Sequence, residues 1–215
     1  MARATQVKRK VEEAAVALFG ARSVDAVSIA DIAAAAGVSQ GALYRHYRSK
    51  DELAAAMFAA AYQRTAQELD RLRSGEDGFA ARIAAMVAHF CRLYDEDAAL
   101  FRFMLLAQHE ILPALAGRGA SPATVIEATV ADAVAAGEIA PVEVGVGAAV
   151  VMGTVLQTAV FHLYGRIGGP LLPRAPALAA AAIGGVTALG TGARLEPAAL
   201  RPSSRRASKD APAAG

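Results

Sequence analysis

The stretch from residue 28 to residue 50 has the residue types and spacing of a helix-turn-helix. Such a unit needs a small residue where its two helices touch, a glycine in the turn, and apolar residues that hold the second helix against the first. Ala33 is the small residue, and Gly37 lies in the turn. The apolar positions at suitable spacing are Ile32, Val38 and Leu43. The stretch is therefore predicted to form two short helices joined by a tight turn.

The outward face of the second helix is predicted to be polar and free of acidic residues. Gln40 and Tyr44 are four residues apart, so their side chains project in the same direction. The neighbouring positions on this face are Gly41, Arg45 and His46. No Asp or Glu occurs in residues 32–50, whereas three cations do. A surface of this composition favours contact with phosphates and base edges.

The charge of the chain is unevenly distributed along its length. Residues 1–50 carry eight Lys or Arg and four Asp or Glu, whereas residues 51–190 carry nine and fourteen. Residues 191–215 carry five basic and two acidic residues, which brings the net charge of the whole chain to +2. This distribution predicts a basic N-terminal module that contacts a polyanion, followed by an acidic helical body.

The segment Gly37 to Leu53 resembles the DNA-binding signature of TetR/AcrR-type transcriptional regulators. It reads GVSQGALYRHYRSKDEL, in which Gly-Val-Ser, Leu-Tyr, a histidine followed by an aromatic residue, and Ser-Lys-x-Glu-Leu occur together in register. The resemblance covers about residues 5 to 65. Its departures from the family pattern are mild. Ser28 stands where threonine is usual, Tyr47 where phenylalanine is commoner, and the alanine run 33–36 lacks the basic residues often found there.

The resemblance implies that the second helix of this unit binds operator DNA. Gln40 and Gly41 are expected at base edges, because glutamine reads adenine N6 and N7 and glycine lets the helix backbone approach closely. Lys50 is expected at a phosphate beside the N-terminal amides of the following helix. Ser39 is expected to cap the recognition helix, although its hydroxyl could also reach a phosphate. The full set of expected DNA-binding residues is Ser28, Ser39, Gln40, Gly41, Tyr44, Arg45, His46 and Lys50.

Alanine supplies about a quarter of the chain, and apolar residues recur with helical period over most of it. Since every proline lies at or after Pro113, glycines and caps must end the earlier helices. The predicted helices span approximately 5–20, 28–37, a short segment from 39, 49–73, 78–94, 98–115, 122–136, 142–164 and 175–189. Residues 117–121 and 168–176 are predicted to be loops, and residues 191–215 a disordered tail.

The expected fold is all-α and TetR-like, with about nine helices. Residues 1–50 are expected to form a three-helix DNA-binding domain, and residues 51–190 an antiparallel helical domain for ligand binding and dimerisation. The resemblance implies that the last two long helices pair with those of a second copy. A twofold homodimer suits recognition helices that must enter successive major grooves about 34 to 36 Å apart.

Residues 144–165 contain no charged side chain and are long enough to cross a bilayer. Gln157, His162, two threonines and four glycines disfavour insertion, so a helix buried on two sides in a soluble core is expected. No membrane partner is expected. The alternative is a helical membrane-associated or scaffold protein that uses 144–165 and 175–190 as apolar spans.

Aromatic and polar side chains are concentrated in the middle helices, which otherwise consist mainly of alanine and leucine. Ligand pockets combine apolar walls with a few polar groups, although aromatic residues at helical spacing are more often plain core. The pocket candidates are His89, Phe90, Tyr94, Phe101, Met104, Gln108, His109, Gln157, Phe161 and His162. We expect a small-molecule effector that releases a repressor from its operator. A nucleic-acid-binding protein without a ligand is a further alternative.

The sequence offers no arrangement for catalysis or metal binding. Cys91 is the single cysteine, and His89, two residues away, points to a different helix face. Residues 37–41 match the G-x-S-x-G nucleophile elbow, but that elbow needs a preceding strand, whereas a capped helix is predicted there. We therefore expect no enzyme, no cofactor and no metal site. The polar, basic N-terminus has no secretory segment, which indicates a cytoplasmic location.

Overall fold

The computed structural model describes residues 2–115 and 119–192, and its regular structure there is entirely helical. The helices are α1 (Ala2–Ala21), α2 (Ile29–Ala36), α3 (Gln40–Tyr44), α4 (Lys50–Gly75), α5 (Phe79–Glu96), α6 (Ala98–Leu115), α7 (Pro122–Ala135), α8 (Val144–Leu163) and α9 (Ala175–Gly190). The predicted all-α fold of about nine helices is confirmed over these residues. The tail predicted for 191–215 lies outside the described residues from 193 onward.

Local sequence signals set the ends of the short N-terminal helices. The Ser28 hydroxyl accepts a hydrogen bond from the Asp31 N–H at 3.1 Å, and the Asp31 carboxylate accepts one from the Ser28 N–H at 2.9 Å. Gly37 ends α2 in the left-handed conformation, with φ 65°. Ser39 and Ser49 cap α3 and α4 by accepting from backbone N–H groups at 3.2 and 3.0 Å. The cap predicted at Ser39 and the turn predicted at Gly37 are confirmed.

The loop predicted at 168–176 is wrong in its second half. Leu172–Arg174 form one turn of 3-10 helix, and α9 follows directly. The Asp95 carboxylate at the end of α5 accepts hydrogen bonds from the backbone N–H groups of Leu171 and Leu172, at 2.9 and 2.8 Å. A carboxylate 76 residues away along the chain fixes this turn, so no local pattern could indicate it.

The first three helices pack around an apolar core to which α4 and α6 also contribute. Phe19 of α1, Ile32 of α2 and Leu43 of α3 are fully buried in it. Phe103 of α6 lies in the same core, with its ring centroid 5.4 Å from that of Phe19 and 6.2 Å from that of Phe58 on α4. The N-terminal unit is therefore attached to the rest of the molecule through α6 as well as α4.

Gly20 lies where α1 crosses α6 at backbone distance. A Cβ atom at this position would lie 2.4 Å from the carbonyl oxygen of Ala99, far inside van der Waals contact. The oxygen belongs to the backbone of α6, so it cannot move aside as a flexible side chain would. This crossing requires glycine.

The second core is built around α5, which α4 and α6 to α9 surround. Ile83, Met86 and Val87 of α5 are fully buried there. Gly147, near the start of α8, packs against Val186, near the end of α9, so these two helices run antiparallel. The larger part of the molecule is thus a helical bundle wrapped around one central helix.

Within a single chain, α8 and α9 each cover only one face. In the most apolar part of Val144–Leu163 only 28% of the residues are buried, and in that of Leu172–Gly190 only 22% are. Both stretches have the length and composition to cross a membrane. Nine exposed positions form what we call the α8–α9 face. They are Val146, Ala149, Gly153, Gln157 and Phe161 of α8, and Ala177, Ala181, Gly184 and Ala188 of α9. The sequence predicts that α8 is buried on two sides, but in a single chain its second side is exposed.

Candidate functional site

The exposed side of α3 brings together the residues predicted to read bases. Ala42 and Leu43 are buried against the preceding helices, whereas Gln40, Gly41 and Tyr44 are exposed. Tyr44 is 52% exposed, which is unusual for a large aromatic side chain. A Cβ atom on Gly41 would meet nothing within 4 Å. These positions are therefore free of packing and available to a partner.

The turn between α2 and α3 holds that exposed side outward. The left-handed backbone of Gly37 lets the Val38 N–H donate to the Ala33 carbonyl at 3.0 Å. Ala33 is 3% exposed and Ile32 is fully buried, so the small residue and the apolar contact lie inside the unit. The predicted helix-turn-helix geometry is present.

The other expected DNA-binding residues lie on the flanks of α3. Arg45 is exposed, His46 is half-buried, and Ser28 is exposed although its hydroxyl is engaged in the cap of α2. Lys50 is the first residue of α4, and its Nζ donates to the Asp25 carbonyl at 3.3 Å. The remaining donors of this ammonium are free for a phosphate.

Arg48 differs from its cationic neighbours because it is paired. Its Nε and Nη2 donate to the Glu52 carboxylate at 3.2 and 3.4 Å. Hydrogen bonds from the Arg48 backbone and guanidinium hold the pKa of Glu52 below its usual value. Among the described residues, Arg45 makes no ion pair of this kind. The positive charge beside α3 is therefore carried mainly by Arg45 and Lys50.

Tyr47 positions the recognition unit, a role that the sequence analysis missed. Its side chain is 7% exposed, and its hydroxyl donates to the Glu12 carboxylate at 2.7 Å. This hydrogen bond ties the segment after α3 to α1. Burial and the neighbouring Glu12 raise the pKa of the Tyr47 hydroxyl well above its usual value. Tyrosine in place of the commoner phenylalanine indicated a role for the hydroxyl group. Its hydrogen-bond partner, Glu12, could not be predicted because it lies 35 residues away in the sequence.

An apolar cavity of about 200 Å³ lies between α4, α5, α6, α8 and the start of α7. Among the described residues, four aromatic rings and two methionines line it, and Gln108 and Tyr62 are the ones that bring polar groups to the wall. Within the described part of the chain, the lining consists of Phe58, Tyr62, Phe90, Leu93, Phe101, Met104, Leu105, Gln108, Leu112, Pro122, Ala123, Met152 and Leu156. A cavity of this composition suits a small apolar ligand.

The ten pocket candidates divide into three groups. Those on the cavity wall are Phe90, Phe101, Met104 and Gln108. Those exposed on the surface are His109, Gln157 and Phe161. Those inside the fold but off the wall are His89, Tyr94 and His162. Helical periodicity identifies buried stripes, but it does not show which stripe faces a void. It therefore missed Phe58 and Tyr62 of α4 as well as the lining residues of α7 and α8.

Tyr94 and His162 form a hydrogen-bonded pair close to the cavity. The Tyr94 hydroxyl lies 2.9 Å from His162 Nδ1, and His162 Nε2 lies 2.8 Å from the Gly169 carbonyl. Because a carbonyl only accepts, Nε2 carries the hydrogen and Nδ1 accepts from Tyr94 in the neutral imidazole. The pair fastens the segment after α8 to α5, and the Tyr94 ring packs edge-on against Phe101 of the wall.

His89 is half-buried and Cys91 is buried, and burial favours the neutral form of each side chain. Burial lowers the pKa of His89, and its Nε2 is buried without a hydrogen-bond partner. Burial raises the pKa of Cys91 to about 11, so its thiol is protonated at neutral pH. Within residues 2–115 and 119–192, no group of three His, Cys, Asp or Glu is placed to hold a metal.

Residues 13–57, from α1 into α4, match the family model described as bacterial regulatory proteins, tetR family. No curated protein matches the sequence. Among solved structures, the fatty acid degradation regulator FadR from Bacillus halodurans is 14% identical with a TM-score of 0.74, over 83% of this chain and 95% of that chain. FadR from Bacillus subtilis, in complex with stearoyl-CoA, is 16% identical with a TM-score of 0.70, over 82% and 98%. A TetR family regulator from Marinobacter aquaeolei is 21% identical with a TM-score of 0.69, over 84% and 95%.

The capped helix-turn-helix and the exposed face of α3 have the arrangement of the DNA-binding segment of bacterial transcriptional regulators. Residues 13–57 match the tetR family model over this DNA-binding segment, and the chain as a whole has the fold of TetR-family structures. The resemblance seen in the sequence is confirmed. A membrane-associated or scaffold protein is not favoured, because α8 and α9 are part of this same fold.

Proposed function

We propose that this protein is a cytoplasmic, homodimeric repressor that a small molecule releases from its operator. The observation that carries the proposal is the path of α4. The helix begins with Lys50 beside the exposed face of α3 and lines the apolar cavity with Phe58 and Tyr62. Lys50 and Tyr62 are twelve residues apart, a distance of about 18 Å along a helix. One rigid element thus connects the two surfaces.

The proposed DNA contacts follow from the exposure of α3. Gln40 and Gly41 would read base edges, and Tyr44, Arg45 and His46 would meet bases or phosphates. Lys50 would bind a phosphate beside the N-terminal amides of α4. Ser28 and Ser39 serve first as caps, and their hydroxyl oxygens would lie close to the backbone of the operator.

The proposed dimer would cover the α8–α9 face. A helix pair that exposes an apolar stripe along both of its members needs a partner in water, and a second copy provides an identical stripe. Gly153 and Gly184 lie within this face, and a Cβ atom at either would meet nothing within 4 Å, so both positions admit close helix contact. The two recognition helices would then be related by a twofold axis, as a palindromic operator requires.

The proposed coupling runs from the cavity to the DNA face along two helices. A ligand that displaces Phe58 or Tyr62 would tilt α4 directly. It would also disturb Phe103 of α6, which contacts Phe58 and packs on Phe19 of α1. Either movement would change the separation of the two recognition helices. The Bacillus subtilis FadR structure supports a ligand site in this fold, since it contains stearoyl-CoA.

The experiment that tests this function begins with operator selection from random DNA by the purified protein. A compound found to shift the melting temperature is then titrated into the protein with and without operator. Because linkage is reciprocal, operator must weaken ligand affinity by the same factor by which ligand weakens DNA affinity, typically 5- to 150-fold. Equal ligand affinities in the two titrations would contradict the repressor mechanism and favour a DNA-binding protein without an effector.

A further inference from the structure

We infer that the effector is an uncharged aromatic molecule of one or two rings that donates a hydrogen bond to Gln108. The inference rests on the proposed function only in calling the occupant an effector. The size of the ligand, its charge, its aromatic character and its donor group each follow from a separate property of the cavity wall.

The volume of the cavity favours a small molecule. Ligand pockets in proteins commonly measure about 300 to 1,000 Å³, and an apolar cavity of about 150 Å³ suffices for benzene. The cavity described above measures about 200 Å³. One ring with a short substituent, or two fused rings, fills such a space.

The described part of the wall offers no counter-charge to an ionised ligand group. None of the thirteen lining residues is Lys, Arg, His, Asp or Glu. An ion that enters the cavity would lose its hydration without gaining a counter-charge, which is strongly unfavourable. The half-buried guanidinium of Arg102 lies nearby on α6, and its Nε is buried without a hydrogen-bond partner, but Arg102 is not among the lining residues. Carboxylates and phosphates are therefore disfavoured inside.

The wall favours an aromatic ligand over an aliphatic chain. Phe58 and Tyr62 of α4 stack at 5.3 Å and present their rings together with Phe90 of α5 and Phe101 of α6. Aromatic pairs gain energy beyond area burial when they meet edge-to-face or offset. Met104 and Met152 add polarisable sulfur atoms, which also contact rings favourably. A flat ring meets complementary groups on several sides of this cavity.

Gln108 defines the hydrogen-bonding group of the ligand. Its Nε2 donates to the Leu105 carbonyl at 3.0 Å, and since a carbonyl only accepts, the orientation of the carboxamide is fixed. The carboxamide oxygen accepts no hydrogen bond from the described part of the chain. Tyr62, the other polar residue on the wall, lies near Ser121, the N-cap residue of α7. The free carboxamide oxygen of Gln108 can therefore accept a hydrogen bond from a hydroxyl or N–H on the ligand.

The inference is tested by calorimetric titration of the full-length protein with four probes. They are 2-naphthol, naphthalene, 2-naphthoate and decan-1-ol. We expect 2-naphthol to bind about 3- to 10-fold more tightly than naphthalene, which lacks a donor. It should bind at least tenfold more tightly than the charged naphthoate, and at least about threefold more tightly than the aliphatic alcohol. This series uses the wild-type chain, so it does not depend on the folding of a variant.

Two variants locate the probe. Gln108→Leu should remove the preference for 2-naphthol over naphthalene, whereas Gln67→Leu, at an exposed position of α4, should keep it. Ala123→Leu should reduce the binding of all uncharged probes by narrowing the cavity. Binding of 2-naphthol that is unaffected by Ala123→Leu, or tighter binding of naphthoate or decanol, would overturn the inference. If 2-naphthol binds as expected but operator affinity does not change, the ligand class stands and the repressor function fails.

Discussion

The face of α3 and the α8–α9 face are both exposed in a single chain, but they differ in composition. The first presents Gln40, Tyr44 and Arg45 with Lys50 at its edge, whereas Gln157 is the one polar member of the second. Polar side chains remain hydrated until a polyanion displaces the water and counterions. An apolar stripe with glycines instead gains free energy when another protein surface excludes water. Exposure alone therefore does not identify the partner of a surface. The chemistry of the exposed groups indicates whether that partner is a nucleic acid or another protein surface.

The two faces also differ in what supports them. The five residues of α3 are too few to be stable as an isolated helix, so caps and buried contacts must hold it. The twenty residues of α8 are anchored along one side by the core around α5. In both cases the exposed residues contribute little to packing. Substitutions on either face should thus weaken the binding of one partner and leave the fold intact.

The largest expected effect is the loss of the dimer on Gly153→Glu. A side chain at this position fits the single chain, and the change improves helix propensity, so the melting temperature of the monomer should not fall. Burial of an unpaired carboxylate in the α8–α9 face should weaken dimerisation at least 100-fold. Analytical ultracentrifugation measures this directly. Gly75→Glu, at another open helical glycine, is the matched control and should remain dimeric. If the Gly153→Glu protein remained dimeric, the dimer would form through a surface other than the α8–α9 face.

The next effect concerns base discrimination by α3. Gln40→Ala should reduce the preference for one base pair of the selected operator by about 1 to 3 kcal/mol and leave the other positions unchanged. Binding to a panel of operators with single substitutions measures the preference. Gln63→Ala, at an exposed position of α4, serves as the control. A uniform loss across all base pairs would remove Gln40 from direct readout.

A smaller and sequence-independent effect is expected for Lys50→Ala. Loss of one phosphate contact should weaken operator and non-operator DNA alike, and should lower the slope of log affinity against log salt by about one. Titrations at several salt concentrations give this slope. Arg64→Ala, an exposed cation farther along α4, should leave it unchanged. If Lys50→Ala and the wild type had the same salt slope, the Lys50 ammonium would make no phosphate contact and would remain hydrogen-bonded to the Asp25 carbonyl.

The smallest effect is a change in stability on Tyr47→Phe. Loss of the hydrogen bond to Glu12 should lower the free energy of unfolding by about 1 kcal/mol at neutral pH. The raised pKa of the hydroxyl favours its neutral form in the folded state, so this stabilisation is complete below about pH 10 and is lost as pH rises further. Urea unfolding between pH 8 and 11 should show a shallower alkaline loss for Tyr47→Phe. Tyr44→Phe, which is exposed, should match the wild type in that range.

The N-terminal unit could be predicted residue by residue because its determinants are local. Ser28 with Asp31, the glycine at 37 and the cap at Ser39 all act within three or four residues. For the cavity, the sequence predicted a ligand pocket among the middle helices but not which residues line it. Whether Phe90 or Phe161 faces a void depends on how five helices pack, and their relative rotation is not encoded in the period of any one of them. Tyr47 and Asp95 were missed for the same reason, since their partners are distant in the chain.

The crossing of α1 and α6 at Gly20 and Ala99 limits how this protein can be combined with others in engineered sensors. A chimera that exchanges DNA-binding specificity by replacing residues 1–50 would carry a foreign α1 onto the native α6. Any side chain at position 20 would then press on the backbone of α6 and push the two parts apart. A compatible donor must supply glycine there and an aromatic ring in place of Phe19 for contact with Phe103. Transfer of α3 alone, through its exposed residues, avoids this junction altogether.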